Sequence, residues 1–118
     1  MAGYIDGFLL VVPTKNVEAY RRVAKVGAKV WKEHGALAYF ECVGEDLASR
    51  FGWPFPKRVK AKPDETVVFS WILYKSRAHR DRVNAKVMKD PRMTKMPEPM
   101  PFDLRKMSHG GFEVLVRA

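Results

Sequence analysis

The chain of 118 residues lacks most of the features that identify common protein classes. Its single cysteine, Cys42, has no partner for an internal disulfide, so we expect a reducing, cytoplasmic location. No apolar run approaches the roughly 20 residues that a membrane-spanning helix needs, and no membrane association is expected. The first residues carry Asp6 and Pro13 around a short apolar run, without a basic segment, which indicates a first strand and not a signal peptide.

Motifs for catalysis and cofactor binding are also missing. No GxGxxG, GxxxxGKS/T or GxSxG pattern occurs, so nucleotide-binding and serine-hydrolase functions are not favoured. The three histidines stand at positions 34, 79 and 109, without the HxH or HxxxH spacing of many metal sites. We therefore predict neither a metal site nor a cofactor, and whether the protein is an enzyme stays open.

Positive charge is abundant, with 22 Lys and Arg against 13 Asp and Glu and a net charge of +9. Arg21, Lys25, Lys29 and Lys32 are spaced to form one stripe along a helix, and a second group of basic residues lies in a proline-rich loop. Such a stripe is typical of a solvated helix face. No aromatic RNA-binding motif accompanies it, so nucleic acid is not the favoured partner.

Hydrophobic periodicity predicts four strands and two helices in the order β-α-β-β-α-β. The strands are expected at 4–12, 36–43, 66–74 and 112–116. The first helix begins after a cap at Thr14 or Asn16 and ends at Gly35, and the second begins after Ser76 and ends at Asp90. Residues 93–101 are rich in Met and Pro and are expected to be irregular.

This order predicts one ferredoxin-like α+β domain over residues 1–118, with a long loop insertion at about 44–65. Both helices cover the same sheet face, which leaves the other face bare and apolar. Two copies are expected to pair through these bare faces, because 800 Å² of buried apolar area supplies on the order of 20 kcal/mol before association costs. Phe51, Trp53 and Phe55 in the loop are also expected to be covered by a neighbouring subunit.

Strand parity assigns side chains to the two faces of the sheet. We expect the more apolar set to pack under the helices: Ile5, Leu9, Val11, Phe40, Cys42, Val67, Phe69, Trp71, Leu73, Phe112, Val114 and Val116. The opposite parity places a polar group inside the barrel: Asp6, Tyr39, Glu41, Ser70, His109 and Glu113.

The polar group suggests a chemistry. Carboxylates that are drawn together out of water repel, which raises the pKa of one of them and suits it to general acid or base catalysis. Asp6, Glu41 and Glu113 are therefore candidate catalytic residues, and Tyr39, Ser70 and His109 are candidate ligand-binding residues. The alternative is that these side chains only form hydrogen bonds across a dimer interface.

Four segments resemble a known family: YIDGFLLVVP at 4–13, WKEHGALAYFECV at 31–43, ETVVFSWILYKSRAHRDRVNAKVMKDPRM at 65–93 and MPFDLRKMSHGGFEVLV at 100–116. They are similar to the YbaA-like family of small bacterial proteins, a domain of unknown function in the dimeric α+β barrel superfamily. The resemblance implies a ferredoxin-like fold and a homodimer whose two sheets form a barrel. It supplies no catalytic residues.

The superfamily includes haem-degrading enzymes and cofactor-independent monooxygenases, which by analogy draws attention to His79 at the start of the second helix. The analogy would also need an Asn on the first strand, where this chain has Asp6. A structural role for His79 is the alternative reading. The methionines at 88, 93, 96, 100 and 107 are typical of flexible packing where a loop meets a partner.

The sequence thus favours a cytoplasmic homodimeric α+β barrel protein that binds a small apolar or anionic molecule in the barrel or in the cleft between sheet and helices. The first alternative is a cofactor-independent monooxygenase or haem-handling enzyme that uses His79, Asp6 and Trp71. The second is an RNA- or acidic-partner-binding module that uses the basic stripe.

Overall fold

The computed structural model describes residues 3–118 as a four-stranded sheet with two long helices. The strands are β1 (Tyr4–Pro13), β2 (Ala38–Val43), β3 (Glu65–Tyr74) and β4 (Ser108–Glu113). The long helices are α1 (Val17–Glu33) and α3 (Arg77–Met88), and the one-turn helices are α2 (Phe55–Arg58) and α4 (Pro91–Thr94). Short 3-10 turns span Thr14–Asn16 and Leu104–Lys106.

The sheet has the strand order β2-β3-β1-β4, and each neighbouring pair is antiparallel. The central strands β1 and β3 are ten residues long and apolar, because β-branched and aromatic side chains favour the extended backbone. Helices α1 and α3 pack against each other and against the same face of the sheet. This arrangement is the ferredoxin-like α+β fold, as the order of elements predicts.

The helix ends agree with the sequence in two places and differ in two. Gly35 follows α1 with a φ of 118°, and the Ser76 hydroxyl accepts the His79 N–H at 3.1 Å to begin α3. Neither Thr14 nor Asn16 caps α1; the Asn16 amide instead donates to the Pro101 carbonyl at 3.0 Å. The sequence predicts Asp90 only as the end of the second helix, but its side chain also caps α4 by accepting the Arg92 N–H.

The assignment of the two sheet faces is wrong, although the alternation itself is correct. The residues that pack beneath the helices are the other set: Tyr4, Asp6, Leu10, Val12, Val68, Ser70, Ile72 and Tyr74, all of them at least nine-tenths buried. Tyr39 and Glu41 on β2 lie on the same side, against α1. Four of the six polar residues predicted inside the barrel, Asp6, Tyr39, Glu41 and Ser70, therefore lie beneath the helices, whereas His109 and Glu113 are exposed.

The opposite face carries the apolar set that was expected under the helices. Phe40, Phe69 and Phe112 are about half exposed there, and the Phe40 and Trp71 rings stack with their centroids 4.5 Å apart. Cys42 is exposed on this face and not buried as predicted. Val11 and Val67 lie on the same face and are almost fully buried, so this end of the sheet is already covered within one chain.

One further expectation fails at the end of a strand. Strand β4 ends at Glu113, so Val114 and Val116 do not continue it, and the Val116 side chain is largely exposed. Met88 at the end of α3 is 59% exposed, whereas Val83 and Val87 of the same helix are buried.

The loop between β2 and β3 contains α2, which contacts β3. The Arg58 guanidinium lies 4.0 Å from the centre of the Trp53 ring, and the Lys57 ammonium lies 5.5 Å from it. Phe51, Trp53 and Phe55 are all more than half exposed in one chain. That a neighbouring subunit covers them stays a prediction.

Candidate functional site

A row of side chains crosses all four strands on the face beneath the helices. Glu41 pairs with Ser70, Ser70 with Phe8, and Phe8 with His109. The register runs through Gly110 and Gly111 without a bulge. Because directly paired residues of antiparallel strands point to the same face, Glu41 and Ser70 are neighbours at the β2 side of this row.

Glu41 is held by two tyrosines from different elements. The Tyr20 hydroxyl of α1 donates to one carboxylate oxygen at 2.7 Å, and the Tyr39 hydroxyl of β2 donates to the other at 2.6 Å. Burial, and then the Glu41 charge, raises the pKa of both tyrosines well above the ordinary value of 10.0. Both tyrosines therefore stay neutral donors at physiological pH.

Gly27 allows Tyr39 to approach the helix. A side chain at Gly27 would begin 3.0 Å from the Tyr39 hydroxyl, which is tighter than ordinary contact. Glycine inside a helix costs about 1 kcal/mol relative to alanine, so its place on the buried side of α1 needs a reason. The close Tyr39 hydroxyl supplies one.

A cavity of about 250 Å³ lies beside this group, between α1, the sheet and the Met- and Pro-rich segment. Aromatic and aliphatic side chains form most of its wall, and Glu41, Tyr20, Tyr39 and Ser70 are its polar members. The remaining lining residues are Phe8, Leu10, Val23, Ala24, Gly27, Trp31, Ile72, Met93, Met96, Met100, Phe102, Leu104 and Met107. We call it the inner cavity.

Ser70 is the one polar member of the inner cavity without a partner among residues 3–118. Its residue surface is only 5% exposed, and no described side chain or backbone group forms a hydrogen bond with its hydroxyl. The hydroxyl is open to the cavity and not sealed in the protein, because no fully buried side-chain oxygen or nitrogen among the described residues lacks a partner. A molecule in the inner cavity would give it a partner.

An outer cleft of about 260 Å³ opens on the other side of Tyr20, Tyr39 and Glu41. Arg21 and Lys25 line it, but neither forms an ion pair with Glu41; Arg21 pairs with Glu18 on its own helix. Glu41 thus forms part of the wall between a cavity that is lined by no described cation and a cleft that carries two cations.

The Met- and Pro-rich segment is fixed to the end of α1 by a charged cluster. The Asp90 carboxylate accepts hydrogen bonds from Arg92 and from the His34 ring at 2.8 Å each, and Arg92 also reaches Glu33. The Arg92 hydrogen bonds, and next the His34 hydrogen bond, hold the pKa of Asp90 well below its ordinary value. His34 therefore has a structural role, because its hydrogen bond to Asp90 holds this segment against the end of α1.

Asp6 lies outside the inner cavity, in a second polar cluster under α3. Its carboxylate accepts from the Arg80 guanidinium at 2.5 Å, and the same guanidinium lies 5.0 Å from the centre of the Tyr4 ring. Burial, and then the Asp6 charge, raises the pKa of Tyr74 above its ordinary value. Asp6 and Glu41 are thus held by different partners and do not form the carboxylate pair that the sequence suggests.

The remaining candidates are separate from both clusters. The His79 Nδ1 atom accepts the Lys75 N–H at 2.9 Å, and burial lowers the pKa of this imidazole. His109 stacks on Phe8 at 6.0 Å but is exposed, and Glu113 is exposed beside Tyr4 in the strand register. Trp71 lies on the opposite sheet face from Asp6. Their roles as site residues stay predictions, and the structure gives them no shared site.

Neither a metal cluster nor a membrane span is found in the described part of the chain. Over residues 3–118, no three His, Cys, Asp or Glu side chains are placed to hold a metal ion. Within the same range, no helix is both long and apolar enough to cross a bilayer.

Several residues of the inner cavity are not predicted from the sequence. The spacing of Tyr20 and Trp31 predicts only that they belong to the apolar side of a helix, and Gly27 lies between them without a motif. A glycine in the middle of the buried side of a helix is the signal that was available. The sequence predicts flexible packing against a partner for the methionines at 93, 96, 100 and 107, and within one chain they line a cavity with this chain's own α1 and sheet.

Comparisons with known proteins agree with the resemblance described above. The model of the family "Protein of unknown function (DUF1428)" matches residues 3–104. "Uncharacterized protein YbaA" of Escherichia coli strain K12 is 45% identical over 113 residues, which cover 96% of this chain and 97% of that protein. The protein of the same name from Shigella flexneri has the same identity and coverage.

Two solved structures share the fold at 16% identity. A NIPSNAP family protein of unknown function from Agrobacterium tumefaciens superposes with a TM-score of 0.59, over 94% of this chain and 86% of that one. A dimeric ferredoxin-like protein from an uncultured marine organism superposes with a TM-score of 0.57, over 98% and 99% of the two chains. At this identity the likeness shows the fold alone.

Proposed function

The chain belongs to the DUF1428 family of proteins of unknown function, and from that premise we propose that it is a homodimeric α+β barrel protein that binds a small molecule beneath α1. Each subunit holds one ligand in its inner cavity, and the dimer interface lies on the opposite face of the sheet. A cytoplasmic location is part of this proposal. Its support is the free and exposed thiol of Cys42, which a reducing compartment preserves.

The observation that carries the ligand site is the inner cavity with its unpartnered Ser70 hydroxyl. A mostly apolar cavity with a few polar groups on one side is the usual form of a small-molecule site. At about 250 Å³ it lies just below the range of about 300–1,000 Å³ that is typical of ligand pockets, which favours a small ligand over a nucleotide or a haem.

The apolar sheet face supports the homodimer. Phe40, Phe69 and Phe112 are about half exposed on it, and complete burial of each would contribute about 1 kcal/mol per copy. A surface groove of about 420 Å³ beside Gly7 offers space for side chains of a second copy. A structural neighbour of this chain is described as dimeric. Sedimentation velocity tests this part of the proposal.

The two alternative functions gain no support from the geometry. A haem-handling or monooxygenase site would need His79, Asp6 and Trp71 to converge, but Asp6 is paired with Arg80 and Trp71 lies on the other face. The stripe of Arg21, Lys25, Lys29 and Lys32 is exposed on α1, as any solvated helix face would be.

Benzyl alcohol is a suitable first probe, because its ring and hydroxyl match an apolar cavity that contains Ser70. We expect calorimetry to give a dissociation constant on the order of 1 mM for the wild-type protein. Ser70→Leu fills the inner cavity and should weaken binding at least about tenfold, whereas Ser70→Ala keeps the space open and should weaken it about threefold or less.

Both variants change residue 70. Comparing them therefore separates the effect of lost cavity space on binding from the effect of the lost hydroxyl. Circular dichroism and thermal melting establish that both are folded, because overpacking by leucine costs about 1–3 kcal/mol. Equal binding by wild type and Ser70→Leu would show that benzyl alcohol does not occupy the inner cavity, and the proposed site would be wrong.

A further inference from the structure

The inner cavity is notable for the charges that line it. The chain carries 22 Lys and Arg, yet no Lys, Arg or His is among the described residues that line this cavity. Glu41 is its one acidic residue, and it forms no ion pair with any described residue. A partly buried carboxylate with two neutral donors and no cation leaves its charge uncompensated on the cavity side.

The polar atoms around Glu41 also require hydrogen-bond donors, and not acceptors, from a ligand. Tyr20 and Tyr39 use their hydroxyl protons on Glu41, so their oxygens and the carboxylate present only lone pairs to the cavity. The Ser70 hydroxyl, next to Glu41 in the strand register, can donate or accept. An ammonium group brings three N–H donors and no acceptor, which matches this set.

The apolar wall fits the same class of ligand. Phe8, Tyr20, Trp31, Tyr39 and Phe102 bring five aromatic rings to the cavity. Aromatic ring faces attract a cation by about 0.5–2 kcal/mol, depending on how far it is desolvated. The four methionines of the wall are flexible and polarizable, which suits them to ligands of varied shape.

We infer that the inner cavity takes a small protonated amine whose ammonium group lies against Glu41 and whose apolar part lies among the methionines and aromatic rings. This inference rests on the proposed function, because it names the ligand class of the same cavity. It excludes the anionic ligand that the net charge of the chain suggests, since the positive charge lies on the outer surface and in the outer cleft. Arg21 and Lys25 stand there, on the other side of Glu41 and the two tyrosines.

Three probes of nearly equal size test the ligand class: benzylammonium, benzyl alcohol and benzoate, each titrated calorimetrically at neutral pH. We expect benzylammonium to bind at least about tenfold more tightly than benzyl alcohol, because a hydrogen bond between charged groups is about twice as strong as a neutral one. Benzoate should bind most weakly, since its carboxylate would face Glu41.

The variant Glu41→Gln keeps the size of the side chain and removes its charge. It should weaken benzylammonium binding at least about tenfold and change benzyl alcohol binding by about threefold or less. Glu45→Gln is the matched control, because it removes the same charge from an exposed position outside the cavity lining and should alter neither affinity.

The outcomes separate this inference from the proposed function. Benzyl alcohol or benzoate binding as tightly as benzylammonium would overturn the amine inference and leave the cavity site standing. Unchanged benzylammonium binding in a folded Glu41→Gln protein would overturn it as well. Failure of all three probes to bind would overturn the proposed site itself. The wild-type series needs no variant, so the test holds even if Glu41→Gln does not fold.

Discussion

Raising the pH above about 10 should unfold the protein steeply, because Tyr20 and Tyr39 keep their protons in the folded state. Burial, and then the negative charge of Glu41, raises the pKa of both hydroxyls above the ordinary value of 10.0. The unfolded chain releases these protons near pH 10 and the folded chain does not. Above that pH the unfolded state therefore binds fewer protons, and the free energy of unfolding falls as the pH rises.

Each tyrosine that stays protonated in the folded state contributes a slope of about 1.4 kcal/mol per pH unit above pH 10. Tyr74, whose pKa burial also raises, adds a third such group, so Tyr20, Tyr39 and Tyr74 together give about 4 kcal/mol per pH unit, and below pH 9 they should give no dependence. Urea unfolding between pH 8 and 11, values that bracket the ordinary tyrosine pKa, measures the slope. Tyr39→Phe should reduce it by about 1.4 kcal/mol per pH unit.

Tyrosinate absorbance supplies the independent check. In the wild-type protein the signals of Tyr20 and Tyr39 should appear together with the loss of circular dichroism. Ionisation of all four tyrosines near pH 10, with the secondary structure intact, would contradict the geometry around Glu41.

Replacing Phe69 by glutamate should convert the proposed dimer to a monomer. Phe69 lies on the apolar sheet face and is 48% exposed in one chain. In a sheet-to-sheet dimer this position is desolvated, and an unpaired carboxylate there costs several kcal/mol, which weakens association at least about a hundredfold. Sedimentation velocity at micromolar concentration should change from about 27 kDa, twice the mass of one chain, to 13.6 kDa.

Met88→Glu is the matched control for this variant. Met88 is 59% exposed on α3, which packs on the opposite face of the sheet from Phe69. The same substitution there should leave the sheet-to-sheet interface, and so the proposed dimer, in place. A wild-type protein that sediments as one chain, or a Phe69→Glu protein that remains dimeric, would show that the apolar face does not form the interface.

The fold was predictable from the sequence because its signals are local. The alternation in β1 and β3, the Ser76 cap and the positive φ at Gly35 each depend on a few neighbouring residues. The faces of the sheet were not predictable in the same way. Both faces are apolar, and hydrophobicity alone favours the face that carries Phe69 and Trp71 as the core.

Which face lies beneath the helices depends on the partners of the polar residues, and these partners come from distant parts of the chain. Tyr20 on α1 gives Glu41 a buried hydrogen bond, and Arg80 on α3 gives Asp6 an ion pair. Parity thus predicted which polar residues share a face, but the side on which the helices lie depends on those long-range pairs.

The register of β4 is another long-range effect. The run FEVLV at 112–116 has the higher strand propensity, yet the strand is Ser108–Glu113 and contains two glycines. Gly111 lies where the Tyr4 hydroxyl needs space, so that any side chain at this position would collide with it. The packing of a buried tyrosine on β1 therefore overrides local propensity in its neighbour.

The inner cavity as the ligand site is the central claim, and methyl NMR of the methionines tests it most directly. Met93 and Met107 line the inner cavity and neither the outer cleft nor the apolar sheet face, whereas Met88 is 59% exposed on α3. On titration with benzylammonium, the methyl signals of Met93 and Met107 should shift together along one saturable curve, while that of Met88 stays in place. A saturable shift at Met88 alone, or no shift at Met93 and Met107 while calorimetry records binding, would contradict the account.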